Sequence, residues 1–198
     1  MPRRRVVLFA VVFAAACGGE PPRLARTEGV AATALAPAPE RWCDAFFPAA
    51  ETPRLMLPRV VAARTGGVIP TVPTDRSVWI NLWATWCEPC KREMPMLERW
   101  HAQLVKEGVP LDLWFVSVDE QAQDLTAFLA QHSTFAPDPS LRLATLSDLA
   151  PWLASLRAPS DGSIPVHLIA APGGKLRCAR AGALRDGDYP IVKAILTK

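Results

Sequence analysis

A short apolar run that leads into a pair of cysteines is the strongest constraint on how this chain can fold. Residues 78–83 are apolar at almost every position, which favours a strand covered on both faces over a strand with one solvated face. The sequence WCEPC follows at residues 86–90, and apolar side chains then recur at helical spacing up to Gly108. A buried strand is therefore predicted to deliver the cysteine pair to the start of a helix.

The rest of the chain alternates between strand and helix patterns. Helices are predicted at residues 121–131, 145–156 and 189–196, and strands at residues 111–118, 141–143, 165–170 and 175–181. Pro172-Gly173-Gly174 lies between the last two strands and predicts a hairpin. A chain of 198 residues can bury one substantial core. We therefore predict one α/β domain with a mixed central sheet flanked by helices.

The first residues have the composition of an export signal. Three arginines at residues 3–5 precede an apolar stretch of 11 residues, 6–16. A helix needs roughly 20 apolar residues to cross a bilayer, so we predict a signal peptide at residues 1–16. Residues 14–18, Ala-Ala-Ala-Cys-Gly, resemble a bacterial lipobox. We expect lipidation of Cys17, with simple cleavage as the alternative.

A tether is predicted between this signal and the folded domain. Residues 18–40 are rich in proline, alanine and glycine and show no strand or helix period. We assign residues 17–41 to the lipid anchor site and tether, and residues 42–198 to the domain. Removing residues 1–16 takes away three arginines and no acid, which leaves 19 basic against 19 acidic residues. No basic stripe remains to suggest a nucleic-acid partner.

Four cysteines remain once Cys17 is assigned to the anchor: Cys43, Cys87, Cys90 and Cys178. Only one of the three possible connectivities joins Cys87 to Cys90, and it joins Cys43 to Cys178. An oxidising compartment outside the cytoplasm can hold such a structural disulfide. The alternative is two unrelated thiols, because the sequence does not show whether Cys43 and Cys178 come within bridging range.

The two cysteines of the pair are predicted to have different roles. Cys87 lies where the strand turns into the helix, so backbone N–H groups and the helix dipole should stabilise its thiolate. Cys90 lies one turn into the helix, within reach and less exposed. We therefore predict that Cys87 attacks a substrate disulfide and that Cys90 resolves the mixed disulfide.

Metal binding is the other use of a cysteine pair. A zinc site would need a second pair of ligands at suitable spacing, and the other candidates are scattered: Cys43, Cys178, His101, His132 and His167. Copper could recruit Met94 and Met96, but residues two apart on a helix face different sides. Disulfide exchange is therefore favoured over metal binding, and a pair that only staples the turn is the remaining alternative. We expect no metal and no cofactor.

The cysteine motif and its surroundings resemble a known family. NLWATWCEPC at residues 81–90 and EMP at residues 93–95 are similar to the extracytoplasmic thioredoxin-like family that contains TlpA, ResA and the cytochrome c maturation reductants. The resemblance implies a thioredoxin-like fold for residues 42–198. It also implies that Ile164-Pro165 is a cis-proline pair opposite Cys87, whose neighbouring backbone pairs with substrate. We place five residues at the substrate-binding surface: Trp86, Glu88, Pro89, Ile164 and Pro165.

Several polar residues near the motif are given structural roles. His167 stands where the family has an uncharged residue, and we predict a strand residue rather than a proton carrier. Asn81 stands where thioredoxins have a buried acid, and we expect it to hydrogen-bond locally. Glu93 is predicted to be a solvated helix residue, and Asp119 and Glu120 to form a turn.

The predicted function is that of an exported thiol–disulfide oxidoreductase that reduces disulfides in extracytoplasmic proteins. The Glu88 carboxylate should disfavour the nearby thiolate and so favour the disulfide, which indicates a reductant of low potential. For the family, apocytochrome c or copper-site assembly proteins would be clients, and a membrane protein of the DsbD or CcdA kind would donate electrons. We expect a monomer held at the membrane by its lipid. A dithiol oxidase or isomerase, or a copper-binding module, is the alternative.

Overall fold

The computed structural model describes residues 38–48 and 52–197. The predicted signal peptide, Cys17 and the tether as far as residue 37 lie outside these ranges. Among the described helices, none has the length and apolar character needed to cross a bilayer.

A mixed sheet of seven strands forms the centre of the described domain. In chain order the strands are β1 Ala45–Phe46, β2 Val60–Ala62, β3 Ser77–Trp83, β4 Leu111–Ser117, β5 Ser140–Leu143, β6 Val166–Ala171 and β7 Lys175–Ala181. Their order in the sheet is β1-β7-β6-β3-β4-β5-β2. The strands β3, β4 and β5 are parallel, and the other neighbours pair antiparallel. The predicted α/β class with a mixed sheet is confirmed.

Strand β3 is the middle strand, and every one of its residues is buried. It pairs with β4 on one side and with β6 on the other. Because helices cover both faces of such a sheet, the sequence of a central strand is apolar at nearly every position. This explains why residues 78–83 lack polar alternation, and it fixes the end of β3 as the point from which the cysteine motif emerges.

In the described residues, five α-helices accompany the sheet: α1 Pro39–Trp42, α2 Glu88–Lys106, α3 Ala122–Gln131, α4 Leu149–Ser155 and α5 Tyr189–Thr197. Helix α2 is the longest and passes through Pro95. Its buried face includes Cys90, Leu97 and Leu104, which recur at intervals of seven residues and so lie on one side of the helix. Helix α1 contains the last three residues of the predicted tether, 39–41.

The N-terminal segment is joined to the far edge of the sheet. The structure bonds Cys43 to Cys178 of β7, with their Cα atoms 5.6 Å apart. Strand β1 pairs with the same part of β7. Next to this bridge, the Trp42 indole N–H donates to Asp188 over 3.0 Å, and the Arg180 guanidinium lies 4.5 Å from the Trp42 ring. A covalent bond, a strand pair and an aromatic contact thus secure the same edge.

Removing the Cys43–Cys178 bridge should destabilise the domain. The bridge joins residues 135 apart in the sequence, so the loop that it closes restricts the unfolded chain strongly. Replacing both cysteines with alanine is expected to lower the free energy of unfolding by about 2–4 kcal/mol. Urea unfolding of the oxidised proteins measures this loss. The matched control replaces Cys87 and Cys90 with alanine, which opens a loop of only three residues' separation; an equal loss in both variants would contradict the loop-entropy account.

Candidate active site

Cys87 lies at the junction between β3 and α2. Strand β3 ends at Trp83, a three-residue turn follows, and Cys87 is the N-cap of α2. Its φ and ψ of −85° and 96° are those of an extended residue, as is usual for an N-cap. Pro89 stands in the first turn of the helix, where its missing N–H leaves no hydrogen bond unmade. The motif therefore forms a strand-to-helix turn that presents a sulfur atom at the helix terminus.

The sulfur of Cys87 takes the place of a capping oxygen. Its Sγ accepts a hydrogen bond from the backbone N–H of Cys90 over 3.3 Å. The first N–H groups of a helix have no partner within the helix, and the helix dipole places partial positive charge there. Both effects favour negative charge on Cys87 Sγ once the bond to Cys90 is reduced.

The two cysteines of the motif are bonded to each other in this structure. Their Cα atoms lie 5.3 Å apart. Cys87 retains 4% of its surface exposed, whereas Cys90 is fully buried. An incoming disulfide can therefore reach only the first sulfur, and the second can act only after the first has reacted.

The segment before β6 borders the reactive sulfur. The carbonyl oxygen of Ile164 lies 3.9 Å from Cys87 Sγ, and the Ile164–Pro165 peptide bond is cis. Trp86, which precedes Cys87 in the sequence, exposes 65% of its surface although it is a large apolar residue. Of the five residues predicted for the substrate surface, Trp86, Ile164 and Pro165 lie beside Cys87 in this way. Their contact with a substrate stays a prediction.

The Glu88 side chain points into solvent rather than towards the buried disulfide. Its side chain is 66% exposed and forms an ion pair with Lys91. The hydrogen bond from Lys91 and the charge of that ammonium hold the pKa of Glu88 below its usual value. Lys91 thus offsets part of the field that the Glu88 carboxylate would exert on the thiolate. The low reduction potential that we inferred from Glu88 stays a prediction.

Asp119 anchors the turn that carries the motif. Its carboxylate accepts hydrogen bonds from the Thr85 backbone N–H over 3.1 Å and from the Thr85 hydroxyl over 2.7 Å. Ser117, at the end of β4, donates its hydroxyl to the same carboxylate. Asp119 does follow β4, as predicted, but it is buried and holds the turn between β3 and Cys87 in place.

Glu93 is buried, so its prediction as a solvated helix residue is wrong. The residue is 4% exposed. Its carboxylate accepts a hydrogen bond from Asn81 Nδ2 over 2.9 Å and another from the Leu184 backbone N–H over 2.7 Å. The prediction that Asn81 bonds locally is also wrong, because its partner is twelve residues away on α2. Burial of a carboxylate is tolerated here because donors from two other elements surround it.

His167 completes this buried polar cluster. It is fully buried on β6, two residues after Pro165, and it pairs in register with Asn81 of β3. Its Nδ1 accepts from the Trp79 indole N–H over 3.3 Å, and its Nε2 lies 3.3 Å from Glu93 Oε1. His167 Nε2 makes no hydrogen bond, so this last contact is one of proximity alone. His167 is a strand residue, as predicted, with polar partners that the sequence did not reveal.

Within residues 38–48 and 52–197, no three or more side chains of His, Cys, Asp or Glu converge as a metal site would require. Met94 and Met96 are both buried on α2. The groups that surround Cys87 are its disulfide partner, the helix terminus and a neighbouring carbonyl, which is a setting for disulfide exchange.

Comparison with known proteins places the chain in a family. The model of the AhpC/TSA family matches residues 71–178, which is more than half of the chain and includes both cysteines of the motif. The chain belongs to the AhpC/TSA family.

The most similar curated proteins include two named thiol-disulfide oxidoreductase ResA. The one from Oceanobacillus iheyensis is 28% identical over 109 residues, which cover 55% of this chain and 51% of that protein. The one from Bacillus cereus is 25% identical over 97 residues, 48% of this chain and 55% of that protein. The chain thus spans about half the length of the curated relatives it matches. The predicted resemblance to ResA is confirmed.

A solved structure shows the fold. The crystal structure of a thioredoxin-related protein from Neisseria meningitidis serogroup B matches with a TM-score of 0.56 and 22% identity. The match covers 71% of this chain and 100% of that one. The thioredoxin-like fold predicted for the domain is confirmed.

Loss of the Asp119 carboxylate should loosen the turn that presents Cys87. In Asp119→Ala, the N–H and hydroxyl of Thr85 and the hydroxyl of Ser117 lose their acceptor. Leaving such donors without a partner costs about 1–3 kcal/mol, and we expect a loss of that size in denaturant unfolding. Glu120→Ala is the matched control, since it removes an exposed neighbouring carboxylate; equal losses in the two variants would rule out the anchoring role.

Proposed function

We propose that this chain is an exported thiol–disulfide oxidoreductase that reduces disulfides in extracytoplasmic proteins through Cys87 and Cys90. The observation that carries the proposal is the position of Cys87 Sγ, which caps α2 and accepts the N–H of Cys90 over 3.3 Å. A thiolate at this position is stabilised by the helix terminus and is therefore both populated and a good leaving group. The fully buried Cys90 is suited to an internal second step.

The reaction proceeds in two exchanges. The Cys87 thiolate attacks one sulfur of a substrate disulfide, forms a mixed disulfide and releases the other substrate sulfur as a thiolate. Cys90, deprotonated, then attacks Cys87 Sγ, which releases the second substrate sulfur. The substrate gains two electrons and ends as two thiols, and the Cys87–Cys90 bond seen here is the oxidised product.

The buried Cys90 must lose its proton before it attacks. Water is a poor proton acceptor at this buried position, so another group must take the proton. Glu93 lies three residues after Cys90 on the buried face of α2, so the two side chains are neighbours along the helix. Its carboxylate is held by Asn81 and by the Leu184 N–H. We assign Glu93 as the group that takes the Cys90 proton, since it is a positioned base in a site with little water.

The proposed localisation rests on the N-terminal sequence, and the proposed partners rest on the resemblance to the extracytoplasmic thioredoxin-like family. The signal at residues 1–16 and a lipid on Cys17 would hold the domain at a membrane outside the cytoplasm, as a monomer on the tether. Clients would be disulfide-containing proteins such as apocytochrome c or copper-site assembly proteins. Electrons would return the pair to the dithiol from a membrane donor of the DsbD or CcdA kind.

Insulin reduction tests the activity. With dithiothreitol as electron source, the protein should speed the precipitation of reduced insulin chains above the uncatalysed rate, and Cys87→Ser should abolish this gain because the attacking sulfur is lost. Circular dichroism checks that the variant folds. Full turnover in Cys87→Ser would refute the assignment of the nucleophile, and metal bound in stoichiometric amount without turnover would favour the copper-binding alternative.

Substitution of the second cysteine should trap clients. In Cys90→Ser the mixed disulfide cannot be resolved, so partner proteins are expected to stay bonded to Cys87 and to appear on non-reducing gels. Cys87→Ser is the matched control, with no adducts because the buried Cys90 is out of reach. If Cys90→Ser yielded only the free thiol, a stable protein client would be excluded.

The reduction potential of the Cys87–Cys90 pair tests the direction of the reaction. A potential near that of strong oxidants, roughly −120 mV, would favour the oxidase or isomerase.

A further inference from the structure

A cleft with a marked charge lies against the cysteine motif. It has a volume of about 430 Å³ and is lined by Pro89 of the motif, by one face of α2 and by the segment after β7, residues 183–186. Pro89 stands between the two cysteines in the sequence, so the cleft begins at the active-site turn. The residues of this "Arg cleft" that carry charge are Arg92, Arg99, Arg185, Glu93 and Asp186.

Three guanidinium groups dominate the Arg cleft. Arg92 and Arg99 are seven residues apart, two turns of α2, and therefore lie on the same face of the helix. Arg185 faces them from the other wall. All three residues are exposed, and in the described part of the chain none of them forms a direct ion pair through its side chain. Arg99 donates to the Pro95 carbonyl, and the charge of Arg92 helps to lower the pKa of the nearby Glu88. Arginine forks of this kind match carboxylates.

The two acids of the Arg cleft offset this charge only in part. The side chain of Glu93 is 2% exposed, and its oxygens accept hydrogen bonds from Asn81 and the Leu184 N–H, so it presents little of its charge to a ligand in the cleft. Asp186 is exposed, and its single negative charge balances one of the three positive charges. Residues 17–198 carry equal numbers of basic and acidic residues, so this excess of positive charge is local to the cleft rather than general to the protein.

We propose that the Arg cleft binds an acidic segment of the substrate polypeptide, next to the disulfide that Cys87 attacks. Charge complementarity selects carboxylate side chains as the occupant. The position selects the substrate rather than an anionic membrane, because a bilayer pressed against Pro89 would close off Cys87. The proposal rests on the proposed reductase function and adds its substrate class: proteins with aspartate or glutamate near the reducible disulfide.

Paired peptides test this substrate class. Two peptides share one disulfide loop, and glutamates flank the loop in one and lysines in the other. At low salt the wild-type protein should reduce the glutamate peptide with a kcat/KM about tenfold above that of the lysine peptide. The ratio should approach one as salt screens the charges. The double variant Arg92→Glu, Arg99→Glu should reverse the preference.

The matched control carries the same change in net charge at the other end of the domain. Lys106 ends α2 far from its N-terminus, and Lys175 begins β7 beside the hairpin, so Lys106→Glu with Lys175→Glu should keep the wild-type ratio. The acidic-segment proposal would be overturned if the wild-type protein reduced both peptides at equal rates. It would also be overturned if the Arg92→Glu, Arg99→Glu variant kept the wild-type ratio of rates. In either case, reduction of the peptides would still uphold the proposed function.

A binding measurement separates the two proposals further. A fluorescent glutamate peptide without cysteine should bind the oxidised protein in low salt and lose binding in Arg92→Glu, Arg99→Glu. This result would support the Arg cleft even if no disulfide were reduced. If the same variant instead lost binding to vesicles of phosphatidylglycerol and kept its affinity for the peptide, the cleft would belong to a lipid surface and the proposal would be wrong.

Discussion

The carboxylate of Glu93 joins the elements on which the active site depends. Through Asn81 it contacts β3, which leads to the motif; through Leu184 it contacts the segment after β7; and it lies beside His167 of β6. The cysteine pair itself is on the helix that carries Glu93. A buried charge is expensive unless donors surround it. The geometry around Cys87 is therefore coupled to a small polar cluster deep in an apolar core.

This arrangement gives the N-terminus of α2 and its inner and outer faces different tasks. At its N-terminus, unpaired N–H groups and the dipole face the Cys87 sulfur. One and two turns later, Cys90 and Glu93 face the core. The outer face carries Arg92 near the same terminus and Arg99 two turns further on. The nucleophile, the resolving group, the candidate base and two arginines of the candidate recognition surface thus lie on a single helix or at its N-cap, so a shift of α2 would affect all of them together.

The sequence predicted the parts of the structure that depend on local pattern. Residues 78–83 form a central strand because a covered strand is apolar throughout, and Gly108 follows the end of α2 because glycine readily adopts the positive φ of 82° found there. Glu93 and Asn81 were misjudged for a physical reason. A glutamate among charged neighbours on a helix looks solvated, and only the tertiary fold brings the Leu184 N–H and β3 to its carboxylate. Asp119 follows β4 as predicted, but its contact with Thr85 depends on the parallel pairing of β3 with β4, which the local sequence does not reveal.

The Cys43–Cys178 bridge has a mechanical consequence. When the chain is pulled from both ends, tension that enters before Cys43 passes through the sulfur atoms into β7 and bypasses the residues between them. The central strand, the cysteine motif and the buried Glu93 all belong to that shielded loop. Of the described residues, those before Cys43 and those after Cys178, which include α5, lie in the line of force and can be extended. The reactive turn is therefore protected from stretching for as long as this one covalent bond stays oxidised.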